Sequence, residues 1–144
     1  MANVIPDSFK TDLLKGTFNF DSSGGSTFKL ALYTDISGLT TSTTAFTTTN
    51  EVSTSGTSYS SGGNTLTNNG VAVSSNIGFV DFADLTFSSV TLSAVGALIY
   101  KSSSGNEAVL VLDFGGTKTA TNGDFVVQFP AATNSAAIIR LGNA

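Results

Sequence analysis

The sequence predicts an all-β chain: an antiparallel β-sandwich or jelly-roll-like barrel with one short N-terminal helix and a long Ser/Thr-rich loop. Three observations predict it. Short apolar segments recur along the chain from Thr17, turn residues separate them every ten or so positions, and only one stretch, near the N-terminus, has helical spacing. At 144 residues the chain fits a single domain, 1–144, able to bury about two thirds of the surface its unfolded form exposes.

Taken in order, residues 6–15 form the helix. Pro6 and Asp7 suit its start, Phe9, Leu13 and Leu14 give an apolar stripe, and Gly16 ends it. So short a helix is unstable alone, so its stripe must pack on the domain or on a neighbour, which makes Phe9 and Leu13 candidate partner contacts. Phe18 and Phe20 then alternate with Thr17 and Asn19, DSSGG turns the chain, and Phe28, Leu30 and Leu32 share a face opposite Lys29, predicting a hairpin with one buried side. Asn69-Gly70 and Asn122-Gly123 tolerate positive φ at both central positions and predict tight turns. Between and beyond them strands are expected near Gly70–Val73, Ile77–Ala83, Leu85–Ser88, Val90–Lys101, Ala108–Phe114, Asp124–Phe129 and Ala136–Leu141.

Two of these strands break the alternation of a half-solvated sheet. If Leu92, Ala94, Leu98 and Tyr100 face inward, Val95, Ala97 and Ile99 face water, and Val109 to Leu112 has the same difficulty. Both faces must therefore be covered, one by the domain's core and the other by a second sheet layer or by another subunit. Doubly apolar strands in a small chain point to oligomerisation, here a homotrimer with Leu98 at the contact. The segment 35–63, DISGLTTSTTAFTTTNEVSTSGTSYSSGG, differs in kind: Asp35 and Glu51 are its only charges, and Ile36, Leu39, Phe46, Val52 and Tyr59 are spaced through it. A loop of this length needs contacts to offset its ordering entropy. It reads either as a flexible loop or as an extended arm lying on a partner, with Phe46 and Tyr59 as anchors.

Chemistry is sparse. The chain has no His and no Cys, which removes the commonest metal ligand, the usual proton-transfer side chain and every disulfide. Asp81 and Asp84 are too unspecific a pair to assign acid–base or cation-binding roles, and Asp113 before Phe114-Gly115-Gly116 reads as a turn aspartate. Ser and Gly fill the positions after Asp21 where a calcium loop needs acidic ligands. The glycine pairs match no phosphate-binding pattern. No catalytic, cofactor-binding or metal-ligating residue is expected, and the chain reads as a non-enzyme. Six scattered basic residues and a net charge of -4 argue against nucleic acid and anionic membrane as partners. Ser and Thr, 20 and 21 residues, outnumber all the charged ones and must carry solubility. The N-terminus lacks a signal-peptide pattern, so synthesis in a cytoplasm is expected.

Three blocks together, TTTNEVSTSGTSYSSGGNTL (Thr47 to Leu66), FVDFADLTFSSVTLSAVGALIY (Phe79 to Tyr100) and AVLVLDFGGTKTATNGDFVVQFP (Ala108 to Pro130), resemble the small virion structural proteins encoded near the head genes of tailed bacteriophages, including cyanophages and other marine phages. The resemblance implies a mainly β protein made in the host cytoplasm and placed on the capsid surface, a decoration or cement protein seated on the major capsid protein lattice. It carries over no catalytic motif. Asn50, Glu51, Val52, Tyr59, Gly62, Gly63 and Asp113 to Gly116 are its family-like positions and read as structural. A tail or neck component (adaptor, ring or fibre-associated module) is the alternative. A carbohydrate-binding β-sandwich is a third; it would need exposed aromatic rings, and the chain offers no Trp and only Tyr33, Tyr59 and Tyr100.

Overall fold

The computed structural model describes residues 2–143. Helix α1 (Asp7–Leu14) precedes seven strands: β1 (Phe28–Tyr33), β2 (Asn64–Thr65), β3 (Asn68–Ser74), β4 (Ile77–Phe82), β5 (Leu85–Lys101), β6 (Ala108–Val127) and β7 (Ile139–Leu141). They form two antiparallel sheets, one in the order β2-β1-β5-β6 and one in the order β3-β4-β7. The chain is thus an all-β sandwich with one short helix.

Between the sheets lies a core of Phe28, Leu30 and Leu32 from β1, Leu92, Ala94, Ala97 and Ile99 from β5, Leu110 and Leu112 from β6, Val80 and Phe82 from β4, and Ile139 from β7. Phenylalanines close its end. Phe9 of α1 sits 5.0 Å from Phe18, Phe20 stacks on Phe28 at 4.6 Å, and Phe28 meets Phe82 edge-on at 5.7 Å, linking helix, first sheet and second sheet. Of the helix's apolar stripe, Phe9 is therefore spent inside the domain, Leu13 packs in part against the core, and Leu14 stays 90% exposed.

The expected hairpin over Thr17 to Thr34 does not form as a ladder. Phe18 and Phe20 are buried, but their backbone is held mainly by the turn bonds Ser26 N–H to Asn19 O and Asn19 N–H to Ser26 Oγ, while β1 pairs with β5 and β2. Neither Asn-Gly pair makes a hairpin turn. Gly70 lies in the register shift between Asn68 and Val71, and Asn122-Gly123 in the shift where Val90 faces Gly123 but Leu92 faces Ala120; both are bulges inside continuous strands. The β3–β4 turn falls instead on Ser75-Asn76, both at positive φ. For the same reason Leu85–Ser88 and Val90–Lys101 merge into β5, and Ala108–Phe114 and Asp124–Phe129 merge into β6.

A bulge also resolves the broken alternation. In β5 the register shifts between Ala94 and Gly96, with Ala94 opposite Lys118 and Gly96 opposite Asp113, so Phe114 to Thr117 bow out of β6. The shift exchanges the two faces: Leu92 and Ala94 on one side of it share a core with Ala97 and Ile99 on the other. Leu98 and Tyr100 turn to a second, smaller core with Ala31, Tyr33, Ala108 and Val111. That second face is covered neither by a sheet nor by a subunit. Ile36 and Leu39 complete its core, with Phe46 and Val4 packed against them.

Asp81 is the one buried charged side chain among the described residues; its Oδ1 accepts from the Phe82 N–H and its Oδ2 has no partner there. Burial, and secondarily the nearby Asp84, raise its pKa. A raised folded-state pKa favours the protonated carboxyl, so its stabilising contribution is fully present below the unfolded value and is lost as pH rises through the folded one. Asp81→Asn should raise the melting temperature at pH 7, by about 2–4 °C for each kcal/mol recovered. The gap to the parent should narrow towards pH 3. A thermal scan at both pH values tests this, and an equal or lower melting temperature at pH 7 would refute it.

Candidate functional site

The segment from Asp35 to Gly63 is a strap: its outgoing limb crosses the second face of the β1-β5-β6 sheet, and its returning limb puts Val52 and Tyr59 into the first core, with Tyr59 5.8 Å from Phe87. It leaves β1 at Tyr33 and lays Ile36 and Leu39 on the sheet. At the β6 edge the Phe46 N–H donates to Asn106 O and the Ala108 N–H to Thr44 O. It then returns to β1, where the Thr34 N–H donates to Asn50 O and the Val52 N–H to Leu32 O. Gly96 permits the close passage, since a Cβ there would lie 2.8 Å from Ile36 Cγ2 and 2.4 Å from Leu112 O. Gly63 does the same at the strap's far end, where a Cβ would fall 1.7 Å from Leu30 O.

Glu51 fastens the returning limb. Its Oε1 accepts from the Tyr59 hydroxyl at 2.8 Å and from the Gly62 N–H at 2.6 Å, and its Oε2 accepts from the Ser61 hydroxyl. The Tyr59 oxygen in turn accepts from the Leu32 N–H, and the Tyr100 hydroxyl donates to Gly62 O at 2.7 Å. Tyr33 donates to Thr47 O. All three tyrosines thus surround one carboxylate and tie strap to sheet. Burial raises the pKa of each phenol, and the Glu51 charge adds to the rise.

These contacts correct the expected interaction residues. Phe9, Tyr59 and Leu98 are buried in the chain's own cores, and Phe46 stacks on Tyr100 at 4.7 Å, so these four hold the domain together. A partner cannot reach Leu98 without unfolding the sheet around it. The doubly apolar strands, which were the reason to expect a trimer, are covered by the strap instead. With Tyr33, Tyr59 and Tyr100 all buried, no tyrosine ring is presented to a sugar. Of the expected contact residues, Leu13 alone reaches a surface groove.

That groove, about 240 Å³, is walled by Leu13, Phe20, Val71, Phe79, Ile139 and Leu141, between α1 and the β3-β4-β7 sheet. Val71 and Leu141 remain 60% and 62% exposed, and Val73 beside them 73%. A second, wider cleft of about 510 Å³ lies along β6 where the bulge overhangs, with Phe114, Lys118, Asp124 and Phe125 among its walls. Asp35 and Asp113 both line a third depression, with Gly115 and Gly116. Backbone hydrogen bonds from Ser37 and Gly115 hold these two carboxyls below their ordinary pKa, the role of turn aspartates. Among the described residues no three carboxylates gather as a metal site, and no helix is long and apolar enough to cross a membrane. Sequence reasoning missed Glu51 as an anchor and the exposed valines of β3. The first was signalled by a lone carboxylate in an uncharged stretch; the second had no signal beyond the strand expected near Gly70–Val73.

Comparison of the chain with known protein families, curated proteins and solved structures finds no match.

The latch makes two measurable statements. Tyr59→Phe removes a donor to Glu51 and leaves the buried Leu32 N–H unpaired, which should cost about 1–3 kcal/mol in chemical denaturation. The three phenols have folded-state values above the free value of about 10, so their stabilising contribution is fully present below that pH and is lost as pH rises through the folded-state values. Tyrosinate absorbance should therefore stay low past pH 10 and rise together with loss of β-sheet circular dichroism. A tyrosine titrating at pH 10 in the folded protein would contradict this placement.

Proposed function

We propose that the chain is a non-enzymatic structural component of a phage virion, a decoration or cement protein that binds the major capsid protein lattice and stabilises it. The observation that carries the reading is where the three virion-like blocks fall. Thr47 to Leu66 holds the Glu51 latch and the strap's return, Phe79 to Tyr100 holds β4 and β5, and Ala108 to Pro130 holds β6 and its bulge. These blocks supply the frame of the domain, as expected of a chain whose task is to be a firm body. The outer edge of β6 offers a surface for the lattice. Thr44 to Phe46 and Val4 occupy it at 106–111, and beyond the bulge, among the described residues, it carries no further strand. An edge of this kind accepts an extended segment by backbone hydrogen bonds and needs little charge.

The mechanism that follows is reinforcement by binding. A protein that binds only the mature lattice stabilises that state by mass action, and repetition over a shell multiplies a modest contact.

Particles assembled without the protein should have normal geometry but break at lower temperature, and adding it back should restore resistance saturably, at hundreds of copies per particle. Thr119→Pro at the outer edge of β6 should weaken that binding more than it lowers the melting temperature of the free protein. Normal heat resistance with failure to join tails or attach to hosts would replace the cement reading with a tail or neck component.

A further inference from the structure

We propose that the exposed end of β3 is a self-association edge, by which two copies pair antiparallel about a two-fold axis near Ala72. Strand β3 is the outer strand of the β3-β4-β7 sheet, and its two ends differ. At the start, the Asn68 amide donates to Phe20 O and Gly70 lies against Ser22, so the segment Phe20–Ser22 shields the edge. From Val71 to Ser74 nothing shields it, and among the described residues these four make no backbone hydrogen bond outside the β3–β4 ladder.

The second copy is favoured over another occupant by symmetry and charge. Val71-Ala72-Val73 reads the same in both directions, so antiparallel pairing about Ala72 sets Val71 of each copy against Val73 of the other, the self-complementarity an isologous contact requires. Paired residues lie on one face, so the four valines form one apolar strip continuous with Leu141 and the groove floor. Strand β3 carries no charged residue in a chain of net charge -4, so two copies meet there without like-charge repulsion. It also lacks the Lys or Pro by which exposed edges avoid pairing. The area sets the strength. Val71, Val73 and Leu141, at roughly 100 Å² of removable apolar surface each, give on the order of 600 Å² for two copies, well under the ~1,200 Å² at which standard interfaces begin. The dimer is therefore weak and reversible in dilute solution. It does not depend on the virion reading.

Sedimentation equilibrium of the isolated full chain across micromolar to millimolar concentration tests the proposal. The average mass should rise from monomer towards dimer and no further. Val73→Lys and the milder Val71→Thr should each weaken association at least tenfold while keeping the parent's circular dichroism and melting temperature. Val126→Lys, at a similarly exposed valine on β6 (48% exposed), should leave it unchanged. A monomer at every concentration overturns the proposal, as does equal loss with Val126→Lys, which would mark unspecific adhesion. If the free chain stays monomeric while Val73→Lys abolishes binding to particles, the edge belongs to another protein and the self-association assignment is wrong.

Discussion

The fold depends on a sheet that is apolar on both sides. Strands β1, β5 and β6 place Leu30, Leu32, Ala97, Ile99 and Leu112 on one face and Ala31, Tyr33, Leu98, Tyr100 and Val111 on the other. A sheet of this kind folds only if each face is covered, since each large apolar side chain left in water forgoes about 1.5–3 kcal/mol. The second sheet and the phenylalanines of the N-terminal segment cover one face. The outgoing limb of the Asp35–Gly63 strap covers the other with Ile36, Leu39 and Phe46, while its returning limb adds Val52 and Tyr59 to the first, and the rest of its design follows from that duty: apolar side chains at intervals, glycines beneath and behind it where the backbones approach, and one carboxylate to tie it down. The strap also pairs with both edges of the sheet, so the same segment buries a face and closes an edge.

The bulges are the second constraint. Strands of 17 and 20 residues cannot keep one register and one face through a bent ribbon, and the β5–β6 pair shifts register at four places. The shift at Ala94–Gly96 matters most, because it divides a half-solvated ribbon from a fully buried one. On its far side, Phe87, Val90 and Leu92 point inward while Ser93 and Thr119 meet on the solvent face through a hydroxyl contact of 2.7 Å. The bowed Phe114 to Thr117 both ends the strand pairing that Val4 extends and shapes the cleft over Phe125.

Much of this was legible in the sequence. The helix, the facial separation of Phe28, Leu30 and Leu32 from Lys29, the all-β class and the need for two covers follow from period and composition. What escaped is non-local. Asn-Gly specifies a pair of positive-φ residues but not whether the flanking chain reverses or continues, and here the partner strand continues opposite it, so both pairs became bulges. Ile36, Leu39 and Phe46 are spaced like anchors on any surface, and only the fold says that the surface is their own sheet. Leu98 looked available because a strict period of two put it in phase with Leu92 and Ala94 and left both faces of the strand apolar; the bulge that instead joins Ala97 and Ile99 to Leu92 and Ala94, and turns Leu98 to the strap, is encoded in the unremarkable Ala-Val-Gly at 94–96. Of the expected contacts, Leu13 reached a groove because α1 buries one side only.

The few charges have a pattern of their own. Among the described residues the carboxylates commonly accept backbone N–H groups: Asp35 from Ser37, Glu51 from Gly62, Asp81 from Phe82, Asp84 from Phe129, Asp113 from Gly115 and Asp124 from Ser89. Two cations bind carbonyls in the same way, Lys101 to Thr17 and Arg140 to Ser135. Low charge content is therefore matched by local use: carboxylates fix turns and loop ends, and hydroxyls face the water. A surface built like this exerts little long-range electrostatic pull. Its specificity must come from shape and from backbone groups at strand edges, which act only at contact.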